Sequence, residues 1–155
     1  MSIYSFLKDD HNQIKALMND IEEMGPEADE AKNEKFNDLK KLLISHSKAE
    51  ERTFYQPLRE FKKTHDEVEH GKEEHEEAET LLKELTNESL VGNAWQQKFL
   101  RLKNSVEHHI EEEENEIFTD AKKVLDENEE NLMEANMHIQ ENKEMRTQNL
   151  RERHR

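Results

Sequence analysis

The sequence predicts an all-α protein: an up-down-up-down four-helix bundle with an additional C-terminal helical segment. Three observations carry this. The 155 residues include only three Gly and two Pro, so helices are interrupted at few points. Apolar residues recur every three or four positions along four separate stretches, as they do in helices that bury one face. Short, turn-forming segments join the stretches, and short connections set successive helices antiparallel.

The first stretch carries Ile3, Phe6, Leu7, Ile14, Leu17, Met18 and Ile21, with His11 in the middle of the stripe. Gly25-Pro26 should end it, since Gly takes the left-handed cap and Pro cannot continue a helix. The second stripe reads Phe36, Leu39, Leu42, Leu43, His46, Ala49, Glu50, Phe54, Leu58 and Phe61. Pro57 should bend or end this helix. A third helix is expected to begin near Thr64, a good N-cap residue, with Val68, Gly71, His75, Ala78, Leu82 and Leu85 inward. Asn87 to Asn93, including Gly92, reads as a connection. The fourth stripe is the longest: Trp95, Phe99, Leu102, Val106, His109, Glu113, Ile117, Ala121 and Val124. Residues 1–125 thus form the expected bundle. Residues 126–155 form a C-terminal helical extension or tail with scattered apolar residues (Leu132, Met133, Met137, Ile139), to which no chemistry is assigned.

Composition narrows the function. A net charge of −15 argues against nucleic acid and against anionic membrane surfaces, both of which need concentrated Lys and Arg. With no Cys, any metal must be held by nitrogen and oxygen. The chain turns acidic before a secretory apolar core could form, and no run nears the roughly 20 apolar residues of a membrane span. A cytoplasmic protein is expected. Leu, Ile, Val and Phe make up only about a fifth of the chain, near the level of roughly 20% below which highly charged chains stay disordered. Something besides apolar burial should help to hold the fold.

That something is suggested by polar residues on the apolar stripes. His46 and His109 are each followed by Glu at the fourth and fifth positions and by large apolar residues at the eighth and ninth: Glu50, Glu51, Phe54, Tyr55 in one copy and Glu113, Glu114, Ile117, Phe118 in the other. His11 and His75 each stand behind two acids, Asp9-Asp10 and Glu73-Glu74. A four-residue helical step turns about 40° past a full turn, so His46 with Glu50 and His109 with Glu113 share a face. Glu51 and Glu114 lie about 100° further round, behind the ligands or in solvent. An unpaired buried polar group costs roughly 2 to 7 kcal/mol. Six of them would rival a net stability of about 5 to 15 kcal/mol, and metal coordination would remove that penalty. The candidate ligands are therefore His11, His46, Glu50, His75, His109 and Glu113. Four imidazoles and two carboxylates suit iron first, then Mn or Zn, and six ligands suit two ions with the carboxylates as bridges. His65, His70, His108, His138 and His154 read as surface residues, and Tyr55 is placed near the site.

These motifs resemble the hemerythrin-like HHE cation-binding domain family. Asp10-His11 with Ile14 matches its first helix, His46 to Tyr55 with Pro57 its second, Glu74-His75 its third, and His109 to Phe118 its fourth, over roughly residues 3–125. The resemblance implies two non-haem Fe ions with an oxo or hydroxo bridge, His11 and His46 on one, His75 and His109 on the other, and Glu50 and Glu113 joining both. It implies binding of oxygen or another small ligand, for sensing, storage or defence against oxidative or nitrosative stress. An oxidoreductase consuming peroxide or nitric oxide at the same site is the alternative, and a metal-free helical scaffold is the third reading. Two departures stand out. Oxygen carriers of the family have a further His one turn before the third-helix ligand, where this chain has Gly71. The fourth-helix spacing from His109 to Glu113 is also one residue shorter than theirs, and His108 would restore it. A ferritin-like pattern is disfavoured, because Glu67 to His70 is the sole Glu-x-x-His match.

Overall fold

The computed structural model describes residues 2–27 and 29–153. Its elements are α1 (Ile3–Glu23), α2 (Glu30–Glu50), a π-helical turn (Glu51–Tyr55), α3 (Gln56–Leu58), α4 (Lys62–Leu85), α5 (Gly92–Glu112), a second π-helical turn (Glu113–Ile117), α6 (Phe118–Val124) and α7 (Glu127–Arg153). α2 runs unbroken through the first π turn into α3, and α5 through the second into α6, so the described residues make five helical rods. No strand occurs among the described residues. No helix there is long and apolar enough to cross a membrane.

Local chemistry sets the ends. The Ser2 hydroxyl accepts from Ser5 N–H at 3.0 Å and Asp29 from Lys32 N–H at 2.8 Å, which caps α1 and α2. Gly25 closes α1 at φ +77°, a conformation open to Gly at little cost. Two expected boundaries move. α4 starts at Lys62 behind an extended Phe61 and not at Thr64. Thr64 instead donates its hydroxyl to the Leu58 carbonyl at 2.6 Å, satisfying the end of the preceding rod. α5 already begins at Gly92, so Asn93 belongs to the helix and not to the connection. At the start of α7, Asp126 and Glu129 each accept the other's backbone N–H, a reciprocal capping box.

Two apolar clusters fill the interior. One gathers Ile3, Leu7, Phe54, Tyr55, Leu58, Val68, Ile117 and Phe118. The other gathers Ile14, Met18, Leu39, Leu43, Leu82, Phe99, Leu102 and Val106. The polar residues of the apolar stripes lie between them in sequence on every rod of the bundle. α7 packs along α1 and α2. It places Met133 and Met137 in the first cluster and adds polar ties, Glu144 to Arg52 at 3.1 Å and Glu152 to Lys41 at 2.9 Å.

Candidate metal centre

All six candidates are buried: His11, His46, Glu50, His75, His109 and Glu113. They form two groups of converging ligand atoms, His11, His46, Glu50 and Glu113 in one, Glu50, His75, His109 and Glu113 in the other. The two carboxylates are common to both. His11 Nε2 lies 3.3 Å from Glu113 Oε1, His46 Nε2 3.6 Å from Glu50 Oε1, His75 Nε2 3.2 Å from Glu50 Oε1, and His109 Nε2 3.3 Å from Glu113 Oε2. Every imidazole therefore turns its Nε2 towards the shared carboxylates.

The opposite ring nitrogens explain that orientation. His46 Nδ1–H donates to Asp10 at 2.8 Å, His75 Nδ1–H to Glu51 at 2.7 Å, His109 Nδ1–H to Glu74 at 2.8 Å, and His11 Nδ1–H to Glu114 at 2.7 Å. The acids thus form a closed ring around the bundle: one on α1 holds the His of α2, the acid after α2 that of α4, one on α4 that of α5, and the acid after α5 that of α1. A carboxylate fixing Nδ1–H leaves the Nε2 lone pair free for a cation, and outer carboxylates hold ligating His in this way at metal sites. Sequence spacing placed Glu51 and Glu114 behind the ligands. It did not reveal which His each acid serves, because the partners lie on different helices. The acid immediately before His11 and before His75 was the available signal for Asp10 and Glu74.

Five inward atoms, His11 Nε2, His46 Nε2, both oxygens of Glu50 and Glu113 Oε1, are buried without a hydrogen-bond partner. Orphaned polar atoms at this density are rare in native proteins. Their number, their convergence and their nitrogen and oxygen chemistry fit a pair of cations bridged by Glu50 and Glu113.

The charges agree with that fit. Burial and the neighbouring Glu113 push the Glu50 carboxyl well above the usual range. Glu113, with burial opposing, is held well below it by Glu50, His109 and His11, so the metal-free pair retains a proton. Burial lowers His75 to about 4. For His109 burial acts the same way, but Glu113 and Glu74 override it and hold the imidazole up at about 9. A protonated His109 can then donate from Nε2 to the neutral His75 Nε2, 3.1 Å away. In the metal-free chain protons stand where cations would.

Tyr55 accounts for Gly71. Its fully buried ring stacks on His75 at 5.3 Å, and its hydroxyl donates to Glu113. A Cβ at Gly71 would lie 2.8 Å from that hydroxyl oxygen. The phenol thus fills the space that a side chain at position 71 would need, and Tyr55 belongs to the site. Each π turn begins at or next to a central carboxylate, Glu113 itself and Glu51 directly after Glu50. The extra residue in a π turn shifts the register, which lets Phe54 with Tyr55 and Ile117 with Phe118 face the core in adjacent pairs. Pro57 is not the cause, since the second turn has no proline.

The remaining histidines fall outside the centre. His65 is exposed; His70, His108 and His138 are more than half exposed. His108 pairs with Glu112 at 2.9 Å and does not substitute for His109. His138 packs edge-on against Phe6, with ring centroids 4.3 Å apart. His154 lies outside the described residues. α7, expected to carry no chemistry, brings Glu141 to within 3.9 Å of His46 Nδ1. Burial and the adjacent Asp10 raise the Glu141 carboxyl to about 9, so a neutral acid backs the Asp10–His46 pair. No repeat or motif in the sequence marks it.

A family model, the hemerythrin HHE cation-binding domain, matches residues 2–121. The chain belongs to that family. No curated protein and no solved structure matches.

Proposed function

We propose that this chain is a non-haem di-iron protein that binds oxygen or a related small ligand inside a helical bundle, for sensing, storage or defence against oxidative or nitrosative stress. The observation that carries the reading is the pair of buried donor groups sharing Glu50 and Glu113, with their inward atoms unpartnered. His11 and His46 would hold one ion, His75 and His109 the other, and the two carboxylates would join them; Mn or Zn could occupy the same donors. A bound pair of irons would supply redox-active centres with positions open to a small ligand. The chain's own residues do the rest. Asp10, Glu51, Glu74 and Glu114 orient the imidazoles, Tyr55 holds Glu113, and the apolar clusters keep bulk water away.

The bundle is read as up-down-up-down. Support comes from the second apolar cluster, where Ile14 and Ala78 follow their His by three residues while Leu43 and Val106 precede theirs by three. Alternating direction explains that inversion. Residues 1–125 form the metal-binding bundle on this reading and residues 126–155 its C-terminal helical extension or tail, in a cytoplasmic protein that engages neither nucleic acid nor membrane. The test is metal and ligand together: protein grown with iron and purified should hold iron and give a new absorption band with azide. Protein that takes up no iron from excess would overturn the proposal.

A further inference from the structure

A cavity of about 20 Å³ touches all four central imidazoles and is walled further by Ile14, Leu43, Ala78, Val106 and Ile110, with Ser47, Glu74 and Ser105 as its other polar lining. A water needs about 10 to 15 Å³ by this kind of measure, so the chamber has room for one small molecule. A second cavity of about 150 Å³ lies in the seam between α2 and α4, where it reaches the exposed Glu76. Leu43, Ser47, His75 and Ala78 line both cavities. Ile44, Glu79 and Leu82 then carry the second into a surface groove of about 290 Å³ bordered by Lys40, Lys41, Lys83 and Arg151. Glu79 and Glu152 also line this groove, with Glu152 paired to Lys41 at 2.9 Å, so its charge is mixed.

Two other approaches are closed by packing. α7 lies along the outer side of α1 and α2, and Phe54, Tyr55 and Phe118 fill the end of the site opposite Leu43 and Ala78 with fully buried rings. Contact between α2 and α4, by contrast, is sparse beside that of α1 with α2 or α4 with α5. We propose that small ligands reach the chamber through the α2–α4 seam, with Leu43, Ser47 and Ala78 as its throat.

The route rests on the reading of the chamber as a metal centre, and the test separates the two. Azide is mixed with the iron-loaded full chain in a stopped-flow instrument, and iron content is measured on the same samples. Ala78→Phe should slow azide association tenfold or more with iron content and the final azide spectrum unchanged. Ser47→Phe, at a partly exposed position that tolerates bulk, should do the same, while Leu43→Ala should accelerate it. If Ala78→Phe fails to fold, the other two decide. Variants with full iron and wild-type association rates would overturn the route and leave the metal centre standing. A wild-type chain that takes up no iron would overturn the centre and the route with it.

Discussion

Loading the centre must expel protons, and the structure fixes the direction of the effect. In the metal-free chain His109 is held up at about 9, so at pH 7 it is almost fully protonated, and burial with the neighbouring Glu113 pushes the Glu50 carboxyl well above the usual range. Both must deprotonate to bind a cation. His75, lowered to about 4, is already neutral and releases nothing. Uptake at pH 7 should therefore release at least the His109 proton, with further contributions from Glu50 and from His11, for which the nearby Glu113 and Glu114 carboxylates outweigh burial and raise it. Each proton released makes the affinity rise about tenfold per pH unit, equivalent to about 1.4 kcal/mol. Between pH 6.5 and 8.5 affinity should thus climb by at least about one decade per unit, the His109 share flattening as pH passes about 9, where His109 deprotonates unaided. Zinc, which brings no redox change, suits the experiment. Calorimetric titration in two buffers of different ionisation enthalpy counts the protons. Zinc binding with no proton release, or with an affinity flat across that range, would refute the assignment of His109 and Glu50 as ligands.

Three further outcomes follow from the same geometry. Stripping the metal should lower the melting temperature by roughly 5 to 10 °C for each site held at a hundredfold excess over its dissociation constant, about 2.7 kcal/mol per site; calorimetric scans of loaded and chelated protein coinciding within a degree would count against buried ligands. Gly71→Ala should destabilise the protein by about 1 to 3 kcal/mol through overpacking against Tyr55, partly offset by about 1 kcal/mol of helix propensity. Tyr55→Phe should relieve part of that cost, and additivity of the two substitutions in urea melts would rule the contact out. Reduced, iron-loaded protein should turn ferric in air in one direction, because two His per ion leave positions open. Recovery of the ferrous spectrum on degassing alone would contradict this.

Much of the centre is legible in the sequence, because a helix converts spacing into direction. His46 with Glu50 and His109 with Glu113 sit on apolar stripes in phase, and all four are buried. What spacing cannot carry is the relation between helices. Asp10 serves His46 and Glu114 serves His11, partners 36 and 103 residues apart in the chain. The missing side chain at Gly71 reads in the sequence as a gap, yet Tyr55 from another rod fills it. α7 was the least legible element: beyond Met133, Met137 and the His138 ring on Phe6, it is tied down by polar groups such as Glu144 and Glu152, and a polar seam leaves no periodic trace. Thr64 was misplaced for a related reason, since its hydroxyl satisfies the preceding rod's carbonyl instead of its own helix.

The central claim is that the buried donors hold two bridged ions, and stoichiometry tests it most directly. Elemental analysis of the purified, iron-loaded chain should give roughly two irons per chain, falling to one or fewer in Glu50→Ala, which removes a donor common to both groups. A wild-type chain with no bound iron, or a Glu50→Ala chain that keeps the full complement, would contradict it.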